Sequence, residues 1–200
     1  SLPITVKHRI GVDDYDSYDF LCQFVGTVAE AGCNTFLVHA RKAWLKGLSP
    51  KQNREVPELN YERVYQLKKD FPNIEIVING GITTLDDSIT HLHKIDGVMM
   101  GREAYTNPYL LSDVDNRIYG SKTAAKTRAD IAEQFLQYVD NEMSKGVRLH
   151  AMTRHILGLF HGMPGARQFR RHISEHAYKP TSTIDVLTTA LQATSRETST

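Results

Sequence analysis

The sequence predicts an α/β chain in which four parallel βα units are followed by an all-helical segment. Three observations lead there. Four short apolar runs, at residues 4–7, 35–39, 74–79 and 97–100, alternate with helical patterns. After about residue 123 only the helical period continues. The composition, 24 Lys+Arg against 23 Asp+Glu with 40% hydrophobic residues in a 200-residue chain, is that of a water-facing globular protein.

The elements follow in order. Residues 4–7 read as a buried strand ending in Lys7. Residues 18–31 place Phe20, Leu21, Phe24, Val25 and Val28 on one stripe at helical spacing, and Gly32 suits the turn that ends it. The second strand, 35–39, is followed by a helix over 61–71 carrying Val64, Tyr65 and Leu67; Pro72, which has no N–H to donate, stops it. After the third strand, 74–79, Thr83 or Thr84 with Asp86 and Asp87 marks a helix start that leads to the fourth strand, 97–100. This alternation implies parallel strands joined by right-handed crossovers. The chain continues through 104–111, and helices are then expected over 123–145, 149–160, 165–177 and 183–195. Gly146, Gly162, Pro164, Gly165 and Pro180 mark their boundaries. The expected division is residues 1–120 for the α/β part and 121–200 for the helical part, with the Ser/Thr-rich end after Gln192 frayed.

Composition excludes several classes. Stretches without a charged side chain reach only about ten residues, roughly half of a bilayer crossing, so no membrane span is expected. Cys22 and Cys33 are too few for a disulfide framework and lack zinc-ligand spacing, which favours a reducing, cytoplasmic setting. No metal site is expected: His39 has no second ligand at suitable spacing, and His91 and His93 fall at a helix end. The net charge of +1 hides a sorted distribution. Residues 10–30 carry Asp13, Asp14, Asp16, Asp19 and Glu30 and no Lys or Arg, which reads as an anionic surface. Residues 31–54 contain no acid but carry Arg41, Lys42, Lys46, Lys51 and Arg54. Residues 143–174 also lack acids and carry Lys145, Arg148, Arg154, Arg167, Arg170 and Arg171. Phosphate binding needs local positive density, which both basic blocks supply.

In parallel α/β folds, ligands sit at the carboxyl ends of the strands. The four exits here are Lys7-His8-Arg9, His39-Ala40-Arg41, Asn79-Gly80-Gly81 and Gly101-Arg102, all suited to an anion or a polar heterocycle. Asn79-Gly80-Gly81 before a helix start makes a phosphate cradle, because glycines admit close approach of the backbone and a helix N-terminus presents unpaired N–H groups. A tight strand-to-helix turn is the alternative. A second glycine followed by arginine at the next exit favours the cradle and matches the phosphate site of the last two strands of a TIM barrel.

In the stretches Val6–Gly11 (VKHRIG), Val38–Pro50 (VHARKAWLKGLSP), Asn79–Ile82 (NGGI) and Met100–Arg102 (MGR), the chain resembles the tRNA-dihydrouridine synthases. The second stretch, together with RHILGLF at 154–160 and PGAR at 164–167, looks like their A-type bacterial branch, which acts on uridines of the tRNA D-loop. The resemblance implies a flavoprotein oxidoreductase that reduces the C5–C6 bond of uridine with NADPH through FMN. It implies the second half of a (β/α)8 TIM barrel followed by a helical-bundle domain that binds tRNA. Lys7 would face the flavin ring, His39 its isoalloxazine or ribityl region, and Asn79, Gly80, Gly81, Gly101 and Arg102 its tail and phosphate. Arg41, Lys42, Lys46, Asn53 and Arg54 would face the RNA from the loop after strand two, and Arg154, Arg167, Arg170 and Arg171 from the helical domain. Trp44 is either a stacking platform or a loop anchor.

One departure qualifies this expectation. The family protonates uridine C5 from a cysteine in a Cys-Pro-Ser context, and neither Cys22 nor Cys33 has that context. The four strands are expected to be the fifth to the eighth of a barrel, the proton donor to lie upstream of Ser1, and the 200 residues alone to be inactive. Pairing of two half-barrels through their exposed edges is the alternative way of closing the sheet; no obligate protein partner is expected. Rival readings are another FMN-dependent barrel of the dihydroorotate dehydrogenase kind and a non-enzymatic RNA-binding module.

Overall fold

A computed structural model describes residues 2–195. Four strands, β1 (Thr5–Arg9), β2 (Thr35–His39), β3 (Glu75–Asn79) and β4 (Gly97–Met99), alternate with helices α1 (Tyr18–Glu30), α2 (Tyr61–Asp70) and α3 (Leu85–Leu92). The sheet runs β1-β2-β3-β4 with every neighbouring pair parallel. Strand order therefore equals chain order, with no reversal and no crevice at a switch point.

Side chains alternate across this sheet with period two. Phe36, Val38, Ile76 and Ile78 are fully buried and share one core with Leu21 and Val25 of α1 and Val64 and Leu67 of α2. Their burial is worth about 1.5–3 kcal/mol per large side chain. Thr84, one of the two helix starts the sequence marks, accepts from Asp87 N–H, and Ser17 and Asn60 cap the other two helices by accepting from Phe20 N–H and Arg63 N–H. The opposite face shows the register rows Thr5–Thr35–Glu75, Lys7–Leu37–Val77–Gly97 and Arg9–His39–Asn79–Met99, none of them fully buried.

Strand β1 is longer than its apolar run. It continues through His8 and Arg9, which pair with Val38 and His39, so Lys7 lies in mid-strand and not at its exit. Hydrophobicity could not report this, because a strand whose far face is open tolerates charge there.

The chain divides into two compact units, Ser1–Gly101 and Arg102–Thr200. The division expected near Gly120 falls inside the second. The connecting residues form α4 (Arg102–Thr106), a 3-10 turn (Pro108–Asp113) and α5 (Val114–Arg117), which pack within the helical unit. A Cβ on Gly158 would lie 2.3 Å from Thr106 O, and the Arg128 guanidinium stacks 3.7 Å from the Tyr109 ring centre. The rest of that unit is α6 (Arg128–Ser144), α7 (Leu149–Thr153), α8 (Ala166–His176) and α9 (Asp185–Ser195) around Val139, Leu149, Phe169, Ile173 and Leu187. Helix α6 begins at the Thr127/Asp130 capping box, five residues later than its pattern suggests. Helix α7 ends at Thr153 instead of reaching 160, since tight turns such as His155 N–H to Met152 O and Leu159 N–H to Ile156 O replace it. Helix α9 continues to Ser195; of the end expected to fray, residues 196–200 lie outside the described part. No helix among the described residues is long and apolar enough to cross a membrane.

Candidate functional site

The open sheet face gathers the polar residues of four strand ends. Lys7 Nζ donates to Asn79 Oδ1 at 3.2 Å, and Asn79 Nδ2 donates to Met99 O at 2.8 Å, so one amide ties β1, β3 and β4 together. Partial burial, reinforced by Arg9, lowers the Lys7 pKa from its ordinary range. No carboxylate among the described residues lies within ion-pair distance of it. A cation held on a polar face without a counter-ion suits an anionic partner.

Beyond β3, Gly80 (φ 121°) and Gly81 (φ 69°) both occupy conformations that L side chains avoid. There is no space for one either: a Cβ on Gly80 would lie 2.7 Å from His39 Cδ2, and one on Gly81 would lie 2.6 Å from Leu59 Cδ1. Tyr61 Oη donates to Gly80 O at 2.7 Å. The sequence credited the cradle partly to the N-terminus of α3, yet Asp86 and Asp87 fill its first turn. They stabilise the helix and repel an anion there. Gly101 ends the first unit, and Arg102, exposed, opens the second.

The loop after β2 is built, not floppy. Arg9 donates from one nitrogen to Lys42 O and Asn53 O, both at 2.8 Å. Asn53 brackets Trp44: its Oδ1 accepts from Trp44 N–H at 2.8 Å and its Nδ2 donates to Trp44 O at 2.5 Å. Two further bonds, Ala43 N–H to Gly11 O and Leu45 N–H to Asp13 Oδ1, sew the loop to the turn after β1. These contacts separate the loop residues expected to face RNA. Arg41 clips the carbonyls of Glu55 and Pro57. Lys42 pairs with Asp16 at 3.2 Å, as Arg63 does at 2.6 Å. Desolvation pushes the Asp16 carboxyl up, but these two cations outweigh it and hold Asp16 below the usual carboxylate range. The Asn53 side chain is engaged with Trp44. Lys46 and Arg54 remain exposed. The acidic run after β1 is thus not a separate anionic surface, since Asp13 and Asp16 fold against the basic loop. Lys7, Arg9, His39, Asn53, Arg54 and Asn79 line one cleft of about 580 Å³, within the range of small-molecule sites.

In the helical unit, Arg167, Arg170 and Arg171 are exposed at i, i+3 and i+4 of α8, while Phe169 and Ile173 are buried on the other side. Arg171 approaches Glu175 at 3.6 Å, a surface contact of little worth. Arg154 donates to His155 Nε2 at 3.0 Å, and the His155 ring also meets Tyr105 Oη.

Sequence reasoning placed Arg9 at the first strand exit and Asp16 in an acidic run but did not foresee that Arg9 ties down the loop or that Asp16 pairs with Lys42 and Arg63, and it gave Tyr61 only a place in the second helix. Cys33 is buried, with its Sγ near Ile4 O and Thr35 O, and Cys22 lies on α1. Neither is in the cleft. No group of three potential metal ligands occurs among the described residues.

Known proteins were then compared with the chain. A family model described as "Dihydrouridine synthase (Dus)" matches residues 1–195. A protein of Vibrio cholerae named tRNA-dihydrouridine(20/20a) synthase is 56% identical over 191 residues, 95% of this chain and 58% of its own length. Proteins of the same name from Shewanella oneidensis and Escherichia coli K12 are each 53% identical over 96% of this chain and 57% and 56% of their own lengths. The chain therefore spans somewhat less than three-fifths of these relatives. With nearly all of its residues matched and more than half of them identical, the chain belongs to the dihydrouridine synthase family.

Proposed function

We propose that this chain carries the cofactor-phosphate side and the RNA-facing surfaces of a flavin-dependent tRNA-dihydrouridine synthase, as the second half of a TIM barrel followed by a helical tRNA-binding domain. The observation that carries the reading is the open sheet face, where Lys7, His39 and Asn79 converge beside a double-glycine turn. Sequential strand order supports a barrel, because right-handed crossovers then put all helices on one side and leave the other for the interior. The residues fit FMN: an exposed lysine with no carboxylate beside it among the described residues and two consecutive glycines at positive φ suit an anionic, phosphate-bearing group.

When bound, FMN supplies a centre that accepts hydride from NADPH and gives it to uridine. Lys7 provides positive charge facing the ring, and Asn79 fixes the direction of that ammonium. His39 borders the ring or ribityl region, while Gly80, Gly81, Gly101 and Arg102 hold the phosphate. Lys46 and Arg54 meet the RNA directly. Arg41, Lys42 and Asn53 shape the loop that presents them, and Arg154, Arg167, Arg170 and Arg171 contact the tRNA backbone. By analogy with the names of the relatives, the substrate is uridine 20 or 20a of tRNA. Neither cysteine is assigned as proton donor.

Two titrations test this. The chain is expected to quench FMN fluorescence with higher affinity for FMN than for riboflavin, and to bind tRNA with an affinity that falls steeply with salt. Equal affinity for the two flavins, or tRNA binding indifferent to salt, would overturn the reading.

A further inference from the structure

The turn after β3 is held by a residue outside the strands and outside the assigned cradle. Tyr61 is the first residue of α2, whose start is anchored by Asn60 N–H donating to Ala40 O at 2.8 Å, just beyond β2. From there the ring reaches the exit of β3. Its position is fixed behind by His91, whose ring meets it edge-on at 4.5 Å and shares a 2.6 Å hydrogen bond with Tyr65. Burial raises the Tyr61 pKa against the opposing charge of Arg41, with a smaller upward push from Asp87, so its hydroxyl remains a donor.

The consequence follows from peptide geometry. A trans peptide is planar, with its C=O and N–H pointing in opposite directions. Fixing Gly80 O on the Tyr61 hydroxyl turns the N–H of Gly81 away from α2. Gly81 is exposed, and no acceptor among the described residues takes that N–H. The site thus presents a backbone donor whose direction is set by the side chain of Tyr61, bonded to a carbonyl 19 residues further along the chain.

We propose that Tyr61 is a positioning residue for the phosphate of FMN: its hydroxyl orients the Gly80–Gly81 peptide so that the Gly81 N–H points at a phosphate oxygen. This rests on the FMN reading above and adds the element that preorganises the cradle. Tyr61 does not touch the cofactor; it acts through the peptide.

The experiment compares FMN with riboflavin, which lacks the phosphate, by fluorescence titration of the unmodified chain and of Tyr61→Phe. Phe keeps the ring and its contact with His91 and removes only the hydroxyl. Tyr61→Phe is expected to weaken FMN binding about fivefold to tenfold, the worth of one oriented hydrogen bond, with riboflavin affinity unchanged. A general loss of structure would weaken both flavins. An unchanged preference for FMN in the variant overturns the inference, whereas no preference in the unmodified chain overturns the FMN reading itself. A second measurement needs no substitution: the Gly81 amide proton of the unmodified chain is expected to shift downfield with FMN and not with riboflavin. Absence of that shift while FMN binds overturns the inference equally.

Discussion

At Lys7 the proposed function and the stability of the fold pull in opposite directions. Its ammonium is partly desolvated beside Arg9, with a neutral amide as its hydrogen-bond partner, and its pKa is lowered. Below that lowered value the folded state bears a cost for the charge, a small one because Lys7 is exposed to solvent. Between it and the ordinary lysine value of about 10.4, the unfolded chain holds the proton more tightly, so stability rises with pH; above both, the cost is gone. Lys7→Met is therefore expected to be more stable than the unmodified chain at pH 7, with the difference shrinking as pH approaches about 10.4. The same variant is expected to bind FMN at least about tenfold more weakly, having lost a charged donor. Urea unfolding at pH 7 and pH 10, with flavin titration at pH 7, checks both. A Lys7→Met chain less stable at pH 7 would show that the charge is compensated in a way the Asn79 contact does not reveal.

Among elements, the loop between β2 and α2 shows what a motif conveys and what it conceals. The residues at 41–54 were legible as a basic block without acids, but their division of labour was not. Arg41 and Asn53 hold the loop together and Lys42 is paired, because carbonyls and an aspartate distant in sequence come within reach only after folding. Trp44 is accordingly anchored by its backbone through Asn53, while the residue stays 37% exposed. The two classes are expected to separate in tRNA binding. Arg54→Ala should weaken binding and lower the slope of log affinity against log salt by about one. Asn53→Ala should weaken binding with the slope unchanged, since it removes shape and no charge. A slope altered by Asn53→Ala would assign that position to the phosphate contacts and not to the loop. Helix α7 teaches the complementary lesson. Its apolar period continues to Phe160, yet the helix ends at Thr153 and tight turns follow, with Gly158 packed against the Thr106 carbonyl.

On the scale of the whole molecule there are two cores, one around Phe36, Val38, Ile76 and Ile78 and one around Val139, Phe169 and Leu187. Each unit is compact in its own right. Phe169→Ala empties a fully buried site on α8 and is expected to cost about 3–5 kcal/mol. In calorimetry this should lower the melting of the helical unit and leave the α/β transition in place. A single transition shifted as a whole would mean that the two cores unfold together.

The sequence by itself determined the order of strands and helices, their parallel pairing and the start of α3 at Thr84, because these follow from hydrophobic period, glycine, proline and short polar side chains acting locally. It also named, through resemblance, the strand-end residues from Lys7 to Arg102. Tertiary structure alone decided that Lys7 lies in mid-strand, that Asp16 neutralises part of the basic loop, that the connecting residues belong with the helical unit, and that Tyr61 holds the Gly80 carbonyl. Each of these joins groups far apart in the chain. Only chain closure over the folded sheet brings them within the 2.6–3.2 Å at which hydrogen bonds and ion pairs act.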